Sequence, residues 1–339
     1  MAKVSIVGAG SWGTALSKVL ADNKHDVTVW SILEDEINML REKKEHLTKL
    51  PGVTLPDSIT YTTDLKQACT GMDIIVMAVP SPYVRSTAKS MKDLIADGQR
   101  IVNVAKGIED ESYLTLTEII QQEIPQSVPC VLSGPSHAEE VGRELTTTLV
   151  AGAEKKEDAE LIQNLFMCDY LRVYTSSDVL GIELGGALKN VIALAAGISD
   201  GLGQGDNAKA AIITRGIAEI SKLGIAMGGK QESFTGLTGI GDLIVTCSSM
   251  HSRNRRAGIL IGQGKTMKEA MDEVQMVVEG VYSAKAARGL AVKYNISMPI
   301  VTSVNEILFE GKSPATALAE LMMRDRKPEG GSVDWNPNT

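Results

Sequence analysis

The chain contains 339 residues, and at roughly 100 to 200 residues per domain this length predicts two domains. Its 34 Lys and Arg residues against 42 Asp and Glu residues give a net charge of −8, which disfavours nucleic acid and acidic membrane surfaces as partners. With 43% hydrophobic, 22% charged and 4% aromatic residues, the composition is that of a globular protein and excludes a disordered chain, a collagen and a coiled-coil rod.

The cysteines and the apolar stretches indicate the compartment. The four cysteines are far apart and show no C-x-x-C spacing, which predicts neither a zinc site nor a disulfide framework and suits a reducing environment. The N-terminal residues lead directly into a strand-like run without the features of a secretory signal. The longest uninterrupted apolar stretches, such as residues 191–196, fall far short of the roughly 20 residues that span a bilayer. We therefore expect a soluble, cytoplasmic protein without membrane insertion.

The first part of the chain alternates short apolar strands with helical segments, which is the pattern of βαβ units and a mostly parallel sheet. Most of the strands are near-continuous apolar runs, as buried parallel strands require. Strands are predicted at residues 3–7, 27–30, 74–79, 101–105, 128–132 and 147–151. Helices between them are predicted at residues 11–23, 83–95 and 114–123.

After about residue 178 the strand pattern ends and long helical patterns follow. They cover residues 181–199, 208–227, 283–292 and 315–323. The chain therefore divides into an α/β domain at residues 1–180 and an all-helical domain at residues 181–326. We expect the tail at residues 327–339, which is rich in Pro, Gly and Asn, to be flexible.

A glycine motif lies between the first predicted strand and the first predicted helix. Residues 8–13 read Gly-Ala-Gly-Ser-Trp-Gly and fit the G-x-G-x-x-G pattern of dinucleotide-binding proteins. Gly8 permits a tight turn, Gly10 lets the backbone approach a pyrophosphate, and Gly13 lets the helix pack on the strand. The N-terminus of that helix offers unpaired N–H groups to the anion. A glycine-rich turn without a ligand is the alternative, but the combination of strand, helix and position favours a Rossmann-type dinucleotide site.

The end of the second strand usually shows which dinucleotide is bound. An NAD site has Asp or Glu there, and an NADP site has a nearby Arg. Residues 30–33 read Trp-Ser-Ile-Leu, which fits neither pattern, and Glu34 and Asp35 follow. Ser31 could bond a ribose hydroxyl or a phosphate. The sequence therefore predicts a nicotinamide dinucleotide without choosing between NAD and NADP.

Two lysines are candidates for the proton transfer and substrate binding that a dehydrogenase needs beside its cofactor. Lys106 follows a predicted strand, at the edge of the sheet where doubly wound folds bind ligands. Lys189 lies in an otherwise apolar helix, where its ammonium must be paired, face a cleft or reach solvent. If the two converge, burial and mutual repulsion would lower the pKa of both. Asp242 could orient or balance such a lysine, although a helix cap is the simpler interpretation.

A basic cluster at residues 252–256 reads Ser-Arg-Asn-Arg-Arg and precedes a predicted helical run at residues 257–262. Ser252 can cap this helix, and Arg253 can present a bidentate fork to a phosphate together with the free amides. On an acidic protein the cluster favours an acidic small molecule, and a solvated basic face is the alternative. Ser136, in the run that follows another strand, could also reach a ligand.

Other chemistries find little support in the sequence. The histidines show no paired metal-ligand spacing, so no catalytic metal is expected, and we interpret each as a surface or loop residue. They are His25, His46, His137 and His251. Neither a G-x-S-x-G elbow nor a P-loop lysine occurs, which disfavours a hydrolase and a kinase.

From the glycine motif to about residue 325, the chain resembles the bacterial NAD(P)-dependent glycerol-3-phosphate dehydrogenases. The shared motifs stand in order: G-A-G-S-W-G from 8, A-V-P from 78, A-K-G from 105, S-G-P-S from 133, G-G-A-L-K-N-V-I-A from 185, G-D-N-A-K-A-A-I-I-T-R-G from 205, G-I-G-D-L from 239, S-R-N-R-R from 252 and V-V-E-G from 277. The resemblance implies metal-free, NAD(P)H-dependent, reversible reduction of dihydroxyacetone phosphate to sn-glycerol 3-phosphate for glycerophospholipid synthesis. It also implies a homodimer and a helical domain like the C-terminal domain of 6-phosphogluconate dehydrogenase.

The resemblance also implies roles for individual residues. Lys189 would accept the proton during alcohol oxidation, and Lys106 would touch both cofactor and substrate. The other substrate-binding residues would be Gly134, Ser136, Asp242, Ser252, Arg253 and Asn254. The nicotinamide cofactor would be lined by Ser11, Trp12, Ala138, Val277 and Glu279, with Arg253 near it. Asn190 and Thr246 lie beside these positions and could assist.

One departure and two alternatives qualify this interpretation. Many members of the family carry His or Arg just after the second strand, whereas Ile32 and Leu33 stand here, which predicts a weaker preference for NADPH. A β-hydroxyacid-type dehydrogenase acting on a carboxylate would share the two-domain plan but has no need of the basic cluster. A non-catalytic dinucleotide sensor would have no need of Lys106, Lys189 and Asp242.

Overall fold

The computed structural model describes residues 1–326, 328 and 329. Within these residues a single sheet of eight strands has the order β3-β2-β1-β4-β5-β6-β7-β8. The strands are β1 (Lys3–Val7), β2 (Asp26–Trp30), β3 (Thr60–Thr62), β4 (Ile74–Met77), β5 (Arg100–Asn103), β6 (Val128–Ser133), β7 (Thr147–Gly152) and β8 (Leu171–Ser176). All neighbours from β3 to β6 pair in parallel, β7 runs antiparallel to β6, and β8 runs parallel to β7. The predicted mostly parallel, Rossmann-type sheet is therefore confirmed.

Seven helices are described between the strands. They are α1 (Ser11–Asp22), α2 (Glu34–Lys43), α3 (Leu65–Cys69), α4 (Val84–Met91), α5 (Leu116–Glu123), α6 (Ala138–Gly142) and α7 (Lys156–Phe166). Nine further helices follow in the described residues after β8. They are α8 (Val179–Gly201), α9 (Asp206–Ala226), α10 (Gln231–Thr235), α11 (Asp242–Ser248), α12 (Arg253–Gly262), α13 (Met267–Val274), α14 (Glu279–Lys293), α15 (Pro299–Phe309) and α16 (Pro314–Met322). The all-helical character of this second part is confirmed.

Apolar side chains cover both faces of the sheet because successive residues of a strand point to opposite sides. On β1, Ile6 joins the cluster on one face, and Val7 joins the cluster on the other. Both residues are fully buried. Helices therefore cover both faces, and the carboxyl edge of the parallel strands is left to hold ligands.

Helix α8 is the centre of the helical part, and α9, α11, α12 and α14 pack around it. By length and composition it could cross a bilayer, although 83% of its most apolar window is buried within the protein. It contains no long uninterrupted apolar stretch, because Glu183, Lys189 and Asn190 interrupt the apolar pattern. Glycines bring α12 close: a Cβ on Gly197 would lie 2.2 Å from the carbonyl oxygen of Arg255.

The sequence missed several elements for physical reasons. Strand β3 has three residues, and β8 alternates buried with exposed residues, so neither forms an apolar run. Strands predicted to end at residues 79 and 105 end at Met77 and Asn103. The sequence analysis predicts none of the helices α2, α3, α6, α7, α10, α13 and α15. The expected flexible tail, apart from residues 328 and 329, lies outside the described residues.

Candidate active site

The glycine motif forms a tight loop between β1 and α1. Gly8 has a φ of 121°, and a Cβ there would lie 2.7 Å from the backbone of Ala78. A Cβ on Gly13 would lie 2.0 Å from the carbonyl oxygen of Gly8, so the fold itself requires these two glycines. A Cβ on Gly10 would meet no atom of the described residues within 4 Å. Gly10 therefore faces open space, as expected where the backbone approaches a pyrophosphate.

The first turn of α1 fits an anion. Gly10 is the N-cap and supplies no side-chain acceptor, so the N–H groups of the first turn keep their capacity for a ligand. Ser11 and Trp12 in this turn are half-buried, and Ala138 begins α6, which packs against α1. The residues present are thus compatible with the dinucleotide.

The end of β2 contains a buried hydrogen-bond network. The Ser31 hydroxyl donates to the Glu36 carboxylate at 2.5 Å, and His46 Nε2 lies 3.0 Å from the same carboxylate, which also accepts from Lys49. Burial opposes ionisation of Glu36, but these three partners lower its pKa to about 2. The Ser31 hydroxyl proton is therefore already donated to Glu36. His46 lies in the loop between α2 and β3, as expected, but it is not at the surface, since it is 1% exposed.

Three charged side chains from distant parts of the chain meet at the carboxyl edge of the sheet. The Asp242 carboxylate accepts from Lys189 Nζ at 2.5 Å and from Lys106 Nζ at 2.7 Å. Lys189 Nζ also donates to Thr246 Oγ1 at 2.6 Å. The Lys189 side chain is 7% exposed, which rules out the alternative in which its ammonium reaches solvent. The helix-cap interpretation of Asp242 was wrong, because Gly241 occupies the N-cap and the carboxylate bonds the lysines instead.

Burial controls the charges of this cluster. It lowers the pKa of Lys189 to about 8, with a further lowering by Lys106, while the Asp242 carboxylate opposes the shift. Burial also opposes ionisation of Asp242, yet the two ammonium groups hold the pKa of this carboxyl below its ordinary value. At neutral pH the site therefore holds a carboxylate and a lysine that exchanges its proton readily.

The loop after β6 is tied to the lysine cluster. The carbonyl oxygen of Gly134 accepts from Lys106 Nζ and from the Ser136 hydroxyl, each at 2.9 Å. Gly134 has a φ of 137°, a backbone conformation that favours glycine. His137, three residues after Gly134, is half-buried, and its Nε2 has no partner among the described residues. His137 lies in the loop before α6, as expected, and burial, followed by the charge of Lys189, lowers its pKa.

Helix α12 brings the basic cluster to the same region. The Ser252 hydroxyl accepts from the Arg255 N–H at 3.1 Å, which confirms Ser252 as the cap. Asn254 donates to the Asn190 side chain at 2.9 Å and accepts from the Gly280 N–H at 2.8 Å. Its side chain therefore joins α8, α12 and the start of α14. Since Asn190 follows Lys189 directly, this pairing fixes the Ser252 turn beside the lysine cluster.

Glu279 links α14 to the loop after β4. Its carboxylate accepts from the Ser81 N–H at 3.1 Å and from the Ser81 hydroxyl. A Cβ on Gly107, next to Lys106, would lie 2.4 Å from the Ser81 hydroxyl. Burial raises the pKa of Glu279. Ser81 was not predicted from the sequence, because it belongs to no recognised motif. Val277, two residues before Glu279, is half-buried.

The structure brings the sequence-predicted residues together to different degrees. Lys106, Lys189 and Asp242 are in direct contact, and Gly134, Ser136 and Thr246 join them through hydrogen bonds. The glycine motif contacts the backbone after β4 at Ala78. The same loop continues to Ser81, which bonds Glu279 on α14. Within the described residues, no group of three or more His, Cys, Asp or Glu side chains could hold a metal ion.

Comparisons with known proteins identify the family. Models described as the N-terminus and the C-terminus of NAD-dependent glycerol-3-phosphate dehydrogenase match residues 3–159 and 178–319. A protein of Agathobacter rectalis named glycerol-3-phosphate dehydrogenase [NAD(P)+] is 62% identical over 335 residues, which is 99% of this chain and 100% of the relative. A protein of the same name from Fusobacterium nucleatum subsp. nucleatum is 57% identical, covering 97% of this chain and 99% of the relative.

A solved structure agrees with these relatives. The glycerol-3-phosphate dehydrogenase from Coxiella burnetii has a TM-score of 0.92 and 38% identity, covering 95% of this chain and 99% of that chain. Together these findings confirm the resemblance that the ordered motifs indicated. The chain therefore belongs to the NAD-dependent glycerol-3-phosphate dehydrogenase family.

Proposed function

We propose that this oxidoreductase reversibly reduces dihydroxyacetone phosphate to sn-glycerol 3-phosphate with NADH or NADPH. The observation that carries the proposal is the Asp242 carboxylate held between Lys106 and Lys189 at the carboxyl edge of the sheet. Membership of the family supports the same activity. The bound nicotinamide supplies or accepts the hydride.

Lys189 is the acid–base group in this proposal. During reduction its ammonium gives a proton to the carbonyl oxygen, on which negative charge develops, and during oxidation the neutral amine takes the proton back. A pKa of about 8 suits both directions near neutral pH. Asp242 orients the lysine and, with Thr246, fixes the position of its Nζ. Lys106, held by Asp242 and Gly134, directs a second positive charge at substrate and cofactor.

The remaining roles follow the resemblance residue by residue. The substrate would be held by Lys106, Lys189 and Asp242 together with Gly134, Ser136, Ser252, Arg253 and Asn254. Because the side chain of Asn254 is already paired, its contribution would come from the backbone N–H at the start of α12. The cofactor would be held by Gly8, Gly10, Ser11, Trp12, Gly13, Lys106, Ala138, Arg253, Val277 and Glu279.

The proposal extends to the organisation of the protein. The domains would divide near residue 180, in keeping with β8 ending at Ser176 and α8 beginning at Val179. The enzyme would act as a cytoplasmic homodimer that needs no metal. Its product would supply the backbone of glycerophospholipids.

A direct assay tests the activity. Purified, metal-stripped protein is mixed with dihydroxyacetone phosphate, and the absorbance of NADH and, in parallel, NADPH is followed. We expect rapid oxidation of at least one of them. No oxidation of either by a folded sample that binds dinucleotide would contradict the proposal and favour a carboxylate substrate or a sensor.

Replacing Arg253 by alanine should raise the KM for dihydroxyacetone phosphate. A hydrogen bond between charged groups contributes about 1.5 to 3 kcal/mol, so we expect about a 10-fold to 100-fold increase. Arg172→Ala is the matched control, because Arg172 is exposed on β8 and stacks on Tyr174. An unchanged KM in the Arg253 variant would remove this residue from the phosphate site.

The apolar surface after β2 should make NADPH the poorer cofactor. Ile32 is 78% exposed and Leu33 is 54% exposed, and neither offers a charge to a 2′-phosphate. We expect the KM for NADPH to exceed that for NADH by about 10-fold or more, as the loss of one charge-assisted bond implies. The variant Leu33→Arg should reduce the ratio of the KM for NADPH to the KM for NADH. A lower KM for NADPH than for NADH in the unaltered enzyme would contradict this expectation.

A further inference from the structure

The three arginines at the start of α12 have different surroundings. Arg255 donates to the Asp200 carboxylate at 2.8 Å and to the carbonyl oxygen of Ser248 at 3.0 Å, so its charge is used within the protein. The side chains of Arg253 and Arg256 have neither a hydrogen-bond acceptor nor a carboxylate partner among the described residues. These two guanidinium groups therefore keep their hydrogen-bonding capacity.

The geometry of the helix places these two arginines together. Residues three apart on a helix lie on the same face, one turn from each other, so Arg256 stands beside Arg253. The two residues between them point elsewhere, since Asn254 bonds Asn190 and Arg255 bonds Asp200. The face that carries Arg253 and Arg256 therefore begins at the Ser252 turn, next to the lysine cluster.

The electrostatics of this face favour an anion. The Nε of Arg256 is buried without a partner, and a buried donor without an acceptor costs free energy. Burial lowers the pKa of Arg253, and Arg256 lowers it further, while Glu279 and Glu139 act in the opposite direction. Two neighbouring guanidinium groups thus repel each other in the ligand-free protein. A doubly charged anion between them would offset both the repulsion and the missing hydrogen bonds.

We propose that Arg256 is a second phosphate-binding arginine, which shares with Arg253 the oxygens of a ligand phosphate. The inference rests on the proposed function, because that phosphate belongs either to the triose phosphate or to the pyrophosphate of the dinucleotide. Both present the same oxygen acceptors, which match the planar fork of Arg better than the point charge of Lys. Arg256 would therefore contribute to ligand affinity and not to the chemical step.

The test compares Arg256→Met and Arg256→Lys with the control Arg172→Met, which removes one exposed positive charge on β8. For each protein we would measure kcat and KM for dihydroxyacetone phosphate, the Kd of NADH by fluorescence, and the increase in Tm caused by inorganic phosphate. We expect Arg256→Met to raise either the KM or the Kd by about 10-fold or more, with kcat changed by less than about 3-fold. Arg256→Lys should show a smaller increase.

The measurements distinguish the triose phosphate from the pyrophosphate, and they test the role of Arg256 separately from the proposed function. An increase confined to the KM assigns the triose phosphate, and an increase in the Kd of NADH assigns the pyrophosphate. If the unaltered enzyme does not reduce dihydroxyacetone phosphate, the proposed function fails, while the Kd of NADH and the phosphate-induced Tm shift still test Arg256. The inference would be overturned if the KM, the Kd and the phosphate-induced increase in Tm of the Arg256 variants all stayed within about 2-fold of the control values. If Arg256→Met does not fold, unchanged values in Arg256→Lys would overturn it, because the bidentate geometry is lost there.

Discussion

Replacing Lys189 by alanine should lower kcat for dihydroxyacetone phosphate reduction by roughly 100-fold to 10,000-fold, the usual contribution of a positioned acid–base group. The Lys189 Nζ is held by Asp242 and Thr246, so its position relative to a ligand at the sheet edge is fixed. Without Lys189, the carbonyl oxygen, on which negative charge develops during reduction, has no proton donor at this position. The glycine loop belongs to a different part of the fold, so the affinity for NADH should change little.

The pH dependence of the reaction provides an independent measure of the same role. Reduction needs the charged form of Lys189, which is present below its pKa, so kcat should fall as the pH rises through about 8. Oxidation needs the neutral form, so its kcat should rise over the same range. Lys18→Ala is a suitable control, because Lys18 is also poorly exposed and pairs with Asp22 and Glu144 instead of Asp242. A Lys189→Ala variant that keeps more than about a tenth of kcat would remove Lys189 from this role.

The sequence predicted those parts of the site that are encoded locally. The glycine motif carries its own strand, turn and helix start within a short segment, so its structure follows from neighbouring residues. The helix cap at Ser252 is local in the same sense. The convergence of Lys106 and Lys189 could be stated as a hypothesis, because one lysine follows a predicted strand and the other interrupts an apolar helix.

The parts that were missed depend on contacts between residues far apart in the chain. Ser81 and Glu279 are separated by 198 positions, and nothing in either segment indicates that they pair. His46 is buried because Glu36 needs a partner inside the network at the end of β2. The role of Asp242 was ambiguous, because a helix start after glycines suits a cap as well as a counter-ion. Tertiary contacts with two lysines, and not the local sequence, decide between the two.

Replacing Asp242 by asparagine should lower kcat for reduction at neutral pH by about 100-fold or more, because both lysines lose their counter-ion together. The amide keeps the size of the side chain but leaves the buried Lys189 and the half-buried Lys106 without a counter-ion between them. Burial and the charge of Lys106 already lower the pKa of Lys189, and the carboxylate is what opposes them. Its removal should therefore lower this pKa further, so less of the proton-donating form is present at pH 7.

This prediction specifies a direction in the pH profile that a purely structural role for Asp242 would not produce. In the unaltered enzyme the decrease in kcat for reduction lies near pH 8, and in Asp242→Asn it should move to lower pH. Breaking a buried ion pair from one side costs about 3 to 5 kcal/mol of stability, so a lower Tm is expected as well. Binding of NADH would establish that the variant is folded at the assay temperature. A folded variant whose pH profile stays in place, or moves to higher pH, would contradict the assignment of Asp242 as the counter-ion that keeps Lys189 protonated.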